Sequence, residues 1–204
     1  MNRRTHSFGE NFSATLIDRF GIWLSTRQIR KILKSSDCNS VADVGCGYEA
    51  NLLPVLLSSV EQITLVDISV NPDCGENPNV VVYNGYLPEI LSSVRDDSID
   101  LIIMNSVLEH LDEPVSTVRE LHRVLSPNGV LFINVPSWIG KRALEFSAFR
   151  LGLSPREEME DHRRYYNNQQ LWLEIRKAGF SPSLIKVKRH KFGLNVYCIA
   201  TKNT

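Results

Sequence analysis

Apolar residues Leu16, Ile17, Phe20, Ile22, Trp23, Leu24, Ile29, Ile32 and Leu33 recur at helical spacing, which predicts one or two helices over 14–34, with Gly21 as a candidate break. The period then changes. Short apolar runs at 41–44, 63–66, 80–83, 99–104 and 130–135 have the length of strands, and helical patterns at 50–59 and 115–125 lie between them. Segment 71–79 holds Pro72, Gly75 and Pro78, so no ordinary crossover helix is expected there. Pro127, Asn128 and Gly129 form a turn that launches the fifth strand. Residues 168–178 read as a helix closed by Gly179. Stretches 184–191 and 195–201 alternate apolar with polar, as an antiparallel hairpin does. The expected fold is α/β: a doubly wound, mostly parallel seven-stranded sheet with an antiparallel C-terminal hairpin.

Two segments fall outside this alternation. Residues 1–36 read as an N-terminal helical segment before a main domain over 37–204. Residues 137–166, aromatic at first and then dense in both charges, read as a lid inserted over the sheet's carboxyl edge. In the first segment Arg27, Arg30, Lys31 and Lys34 make one helix face basic. Its plain reading is a packed helix with a solvated face, and its sharper one is weak peripheral contact with an anionic membrane through 14–34.

Composition narrows the functional classes. The chain has 204 residues, with 23 Lys plus Arg against 23 Asp plus Glu, a balance that excludes a dedicated nucleic-acid binder. Cys38, Cys46, Cys74 and Cys198 form no C-x-x-C pair and read as reduced thiols. No apolar run approaches the ~20 residues of a membrane span, and the first residues lack a signal-peptide pattern, so a cytoplasmic location is expected. No cluster of His and acids has metal-ligand spacing, so no metal is expected.

The chemistry concentrates where the first strand meets a turn: Val41-Ala42-Asp43-Val44-Gly45-Cys46-Gly47-Tyr48-Glu49. Glycine serves where backbone must approach a ligand without a Cβ. Asp67 ends the next strand, where a carboxylate accepts both hydroxyls of a ribose. Two ligand classes fit. A dinucleotide site wants a third glycine, where this chain has Ala50. Asp43 beside the loop would repel a pyrophosphate and attract a cationic amino acid.

Four blocks together resemble the class I S-adenosylmethionine-dependent methyltransferases, small-molecule branch: Asp43 to Gly47, Val66 to Ser69, Asp100 to Leu111 and Glu120 to Leu131. The resemblance covers about 38–201. It implies S-adenosyl-L-methionine as cofactor. It also implies that Asp43 faces the methionine end, and that Gly45, Cys46 and Gly47 line the carboxypropyl and ribose parts. Asp67 would take the ribose hydroxyls, Ile68 would lie against the adenine, and the Asn105 carbonyl would meet the methionine ammonium. One departure is the stretch Asn84-Gly85-Tyr86, where relatives carry an acid for the adenine amino group; Tyr86 becomes the candidate there.

Methyl transfer needs alignment of the acceptor, and a base only when the acceptor must lose a proton. His162 in the stretch Asp161-His162-Arg163-Arg164-Tyr165-Tyr166 is the candidate base, with His110 after Glu109 as a second candidate. His122 and the run 186–191 read as structural, the latter as a lysine-rich edge strand. Trp138, Tyr165 and Tyr166 suit a small polar acceptor, a hydroxyl of a sugar, glycan precursor or natural product. N-methylation of a small amine, a non-catalytic cofactor-binding partner subunit and a nicotinamide oxidoreductase are the alternatives.

Overall fold

The β-branched and leucine-rich runs form one seven-stranded sheet in a computed structural model that describes residues 6–10, 16–35, 38–140 and 164–204. The strands are β1 (Ser40–Val44), β2 (Gln62–Asp67), β3 (Val80–Asn84), β4 (Ile99–Asn105), β5 (Leu125–Pro136), β6 (Ile185–His190) and β7 (Asn195–Thr201). Their order is β3-β2-β1-β4-β5-β7-β6. The first five pair in parallel, and β7 runs antiparallel between β5 and β6. The doubly wound sheet and its terminal hairpin are thus as expected. Because β2 and β4 flank β1, the strand order reverses beside β1, at whose carboxyl end sheets of this kind bind ligands.

Strand periodicity divides the core. Ala42, Val44, Ile102, Met104, Leu131 and Ile133 face α3 (Pro114–Val124) and α4 (Asn168–Lys177), packing with Val118, Leu121, Leu171 and Ile175. The intervening Val41, Ile63, Leu65, Leu101, Ile103 and Phe132 pack on the other face. There they meet Ile29, Ile32 and Leu33 of α1 (Leu16–Ser35) and Leu56 of α2 (Leu53–Leu57). Apolar positions buried on both faces explain why these strands read as unbroken hydrophobic runs.

Several expectations shift in detail. Gly21 does not break α1, which runs as one helix and leaves Arg27, Arg30, Lys31 and Lys34 exposed. The helix expected over 50–59 contracts to α2, because Ala50 takes a left-handed φ of +42° and Pro54 must lie in a first turn. Pro72–Gly75 forms a single 3-10 turn, with the Asn71 side chain accepting the Asp73 N–H. β5 begins earlier than its apolar run. The Asp100 carboxylate in β4 accepts the Ser126 hydroxyl at 2.8 Å and the Asn39 and Ser40 N–H groups at 3.0 Å, tying the starts of β1, β4 and β5 together. Arg123 of α3 donates to the carbonyls of Leu91 and Val94 and pairs with Asp96 and Glu120, which holds the loop before β4. β6 is an edge of the sheet, with Lys186, Lys188 and Arg189 exposed.

Candidate active site

The loop after β1 is shaped by left-handed backbone at Gly45 (φ +77°) and Gly47 (φ +75°). A Cβ on Gly45 would stand 2.1 Å from Val107 Cγ2, and one on Gly47 would stand 3.1 Å from the Phe8 carbonyl oxygen. Neither glycine has room for a side chain, because Val107 and the Phe8 backbone close on them. The loop's amides also turn inward. Gly45 and Cys46 donate to the Val66 carbonyl at 2.7 and 3.4 Å, and Gly47 donates to Asp67 Oδ2 at 2.7 Å. A phosphate cradle needs such amides pointing outward, at the start of a helix. Here α2 begins only at Leu53, with no capping side chain.

Two carboxylates flank this loop. Asp67 at the end of β2 also accepts the Ile68 N–H at 2.7 Å and the Ser7 hydroxyl at 2.5 Å. Asp43, on β1, is only 3% exposed. Burial, with the Asp67 charge adding to it, pushes the Asp43 pKa from 3.8 to about 7. Burial and the same two acids hold the Cys46 thiol protonated, far above its usual range, so it has no nucleophilic role.

The other predicted residues sit around this centre. Asn105 ends β4, where its side-chain oxygen accepts from Asn134 Nδ2 at 2.9 Å. Asn134 is 1% exposed, and its carbonyl takes the Ser106 N–H at 2.8 Å, so β5 fixes the turn that presents Asn105. Tyr86 follows Gly85, whose N–H donates to the Asp67 carbonyl at 2.8 Å. The Tyr86 ring is 38% exposed, while Asn84 beside it spends its side-chain oxygen on the Val70 N–H. His110 closes the 3-10 turn Leu108–His110 and is half-buried.

His162 lies outside the described residues, as does most of 137–166. The chain re-enters at Arg164, whose N–H donates to the Glu109 carbonyl and whose guanidinium donates to the carbonyls of Leu111 and Asp112. Both ends of the segment thus meet the carboxyl edge, for Ser137 bridges Tyr166. Trp138 is half exposed and its ring lies 5.7 Å from that of Tyr165. Tyr165 and Tyr166 are buried, and Tyr166 joins the core, so neither offers an open wall to a substrate. His122 packs edge-on against Phe180 at 4.6 Å, and burial lowers its pKa, in keeping with a structural part. Among the described residues no group of His, Cys and acids could hold a metal ion.

Sequence reasoning missed Ser7, Val107 and Asn134. Val107 and Asn134 lie inside or near recognised blocks, but their contacts depend on strand neighbours. Ser7 sits in a short polar stretch with no periodicity at all.

Comparison with known proteins agrees with this fold. A sequence profile of the family described as "Methyltransferase domain" matches residues 11–183. A probable S-adenosylmethionine-dependent methyltransferase of Mycolicibacterium smegmatis is 31% identical over 143 residues, covering 69% of this chain and 51% of that protein. The ubiquinone biosynthesis O-methyltransferase of Nitrosospira multiformis is 28% identical, covering 68% of this chain and 61% of its own. The chain spans about half the length of the curated relatives it matches first. Among solved structures, a SAM-dependent methyltransferase from Archaeoglobus fulgidus superposes with a TM-score of 0.66 at 16% identity, covering 88% of this chain and 94% of that one.

Proposed function

The chain belongs to the S-adenosylmethionine-dependent methyltransferase family, and we propose that it moves a methyl group from S-adenosylmethionine to a small polar acceptor. One observation carries this reading: the acidic pair Asp43 and Asp67 flanks a loop whose amides face inward. That set of acceptors suits a cationic amino acid joined to a ribose and opposes a pyrophosphate. When bound, the cofactor supplies a methyl carbon already activated by its sulfonium. The protein's work is then binding and alignment. Asp43 would attract the cationic end and Asp67 would accept from the ribose hydroxyls. The Asn105 carbonyl would accept from the ammonium, and Ile68 and Tyr86 would border the adenine. Gly45, Cys46 and Gly47 would line the path between these groups.

For the acceptor we infer a hydroxyl, on a sugar, glycan precursor or natural product. The ubiquinone biosynthesis O-methyltransferase among the relatives supports oxygen as the methylated atom. A hydroxyl must lose its proton as the new bond forms, and a neutral imidazole suits that task. His162 is the proposed base. Arg164, two residues on in sequence, is held on the carbonyls of Leu111 and Asp112, next to His110 in the chain. N-methylation of a small amine remains the second reading, because there the amine lone pair attacks without a base.

Calorimetry with S-adenosylhomocysteine and with NAD tests the cofactor. Binding of the first alone is expected, and Asp67→Ala should weaken it at least tenfold, since hydrogen bonds to a charged group are worth roughly 1.5–3 kcal/mol. Binding of NAD alone would overturn the reading. Transfer of labelled methyl groups to a metabolite library then identifies the acceptor.

A further inference from the structure

Residues 6–10 lie against the loop after β1. Ser7 is 3% exposed. Its hydroxyl donates to Asp67 Oδ1 at 2.5 Å and accepts the Ser69 N–H at 2.8 Å. One residue on, the Phe8 carbonyl accepts the Tyr48 N–H at 2.8 Å. The segment turns on itself, with the Ser7 N–H donating to Glu10 Oε2 at 3.0 Å and Gly9 at φ +84°. These contacts join the loops after β1 and β2, the two that flank the proposed ribose position.

The acceptor capacity of Asp67 turns this packing into a functional statement. A carboxylate offers about four lone-pair sites. Oδ1 already takes the Ile68 N–H and the Ser7 hydroxyl, and Oδ2 takes the Gly47 N–H. One site stays open, whereas a ribose diol brings two hydroxyls. Ile68 and Gly47 donate from backbone and cannot withdraw without unravelling the loop. Ser7 donates from a rotatable hydroxyl on a separate segment and can.

We propose that Ser7 sets the cofactor affinity of this site: its hydroxyl holds Asp67 Oδ1 while no ribose is present, and the ribose binds only once that oxygen has been released. The inference rests on the reading of Asp67 as the ribose partner. A cofactor then binds well only to the form in which Ser7 has let go, and the apparent affinity falls by the fraction of protein in that form. The penalty falls on association, because release precedes binding.

Surface plasmon resonance with S-adenosylhomocysteine separates the outcomes. For Ser7→Ala the dissociation constant should fall five- to tenfold, through a faster association rate with the dissociation rate unchanged. Ser7→Thr, which keeps the hydroxyl, should keep the wild-type rate constants. Unchanged or weaker binding by Ser7→Ala, a gain confined to slower dissociation, or equal tightening by Ser7→Thr would overturn the proposal. Asp67→Ala serves as the reference. If it binds as well as wild type, the ribose reading itself fails. If it binds tenfold worse while Ser7→Ala brings no gain, the ribose reading stands and the role of Ser7 falls.

Discussion

Binding of S-adenosylhomocysteine should expel a proton, and Asp43 should be its source. Burial and Asp67 raise the Asp43 pKa from 3.8 to about 7 in the free protein. At pH 6 a group with that pKa is about nine-tenths protonated. A cation placed beside it favours the carboxylate. Full return to 3.8 would leave almost no proton bound at pH 6, so close to ~0.9 proton should leave per cofactor bound. At pH 8 the carboxylate is already ionised and release from it should fall to about a tenth of a proton. The choice of pH 6 also removes the ligand's own α-amino group, whose pKa near 7.7–8.0 keeps it charged there. A tenfold change in proton affinity corresponds to about 1.36 kcal/mol, so a tenfold to thousandfold loss of proton affinity at Asp43 strengthens binding by roughly the same factor between pH 4 and pH 8. Calorimetry at pH 6 in two buffers of different ionisation enthalpy reads the proton count directly, with Asp43→Asn as control. Equal heats in both buffers for the wild type, or the same proton count in Asp43→Asn, would refute the reasoning.

The raised Asp43 pKa also predicts a stability effect. An acid with a raised folded pKa stabilises the fold below its unfolded pKa, and that contribution disappears as pH rises from about 4 through about 7. Asp43→Asn should therefore melt higher than wild type at pH 8 and no higher at pH 4, measured by calorimetric scans. Gly45→Ala should destabilise by about 2–4 kcal/mol, from the left-handed φ and the overlap with Val107, and Val107→Ala should recover only the second part, as denaturant titrations can check. His162→Ala should cut turnover at least a hundredfold with cofactor affinity intact, while the wild-type rate rises with pH through one titration that the variant lacks; a loss below tenfold removes the base. If Arg27, Arg30, Lys31 and Lys34 meet an anionic membrane, the protein should sediment with acidic vesicles at low salt and release at high salt, and absence of binding at low salt leaves α1 a packed helix.

Much of the fold is legible in the sequence because the strands of a sheet buried on both faces are nearly continuous apolar runs. The ends of β1, β2 and β4 follow from them, and with those ends come Asp43, Asp67 and Asn105. What stays hidden depends on contacts between distant residues. Nothing in the neighbourhood of Ser7 announces a bond to a carboxylate on β2. The contact of Gly45 with Val107 stays hidden for a related reason: a glycine advertises a close approach but not the approaching partner. β5 outruns its apolar stretch because the Ser126 hydroxyl bonds to Asp100 of the neighbouring strand. Tyr166 reads as a lid aromatic suited to a small acceptor, yet its N–H reaches the Pro136 carbonyl at 3.3 Å and its side chain is buried in the core.

The bridge between Ser137 and Tyr166 has a consequence for how such a protein can diverge. Ser137 is anchored independently: its N–H donates to the Leu194 carbonyl at 2.8 Å and its hydroxyl to the Gly193 carbonyl at 2.6 Å. Tyr166 leads into α4 through Asn167, whose side chain caps that helix. Entry and exit of the intervening chain are thus stapled by contacts that do not depend on what lies between them. The stretch between the two residues can therefore be lengthened, shortened or replaced as a cassette while the sheet and its acidic pair stay as they are. Exchange of that cassette between relatives, spliced at the bridge, is a route by which one ancestral scaffold could acquire new acceptors without having to refold around them.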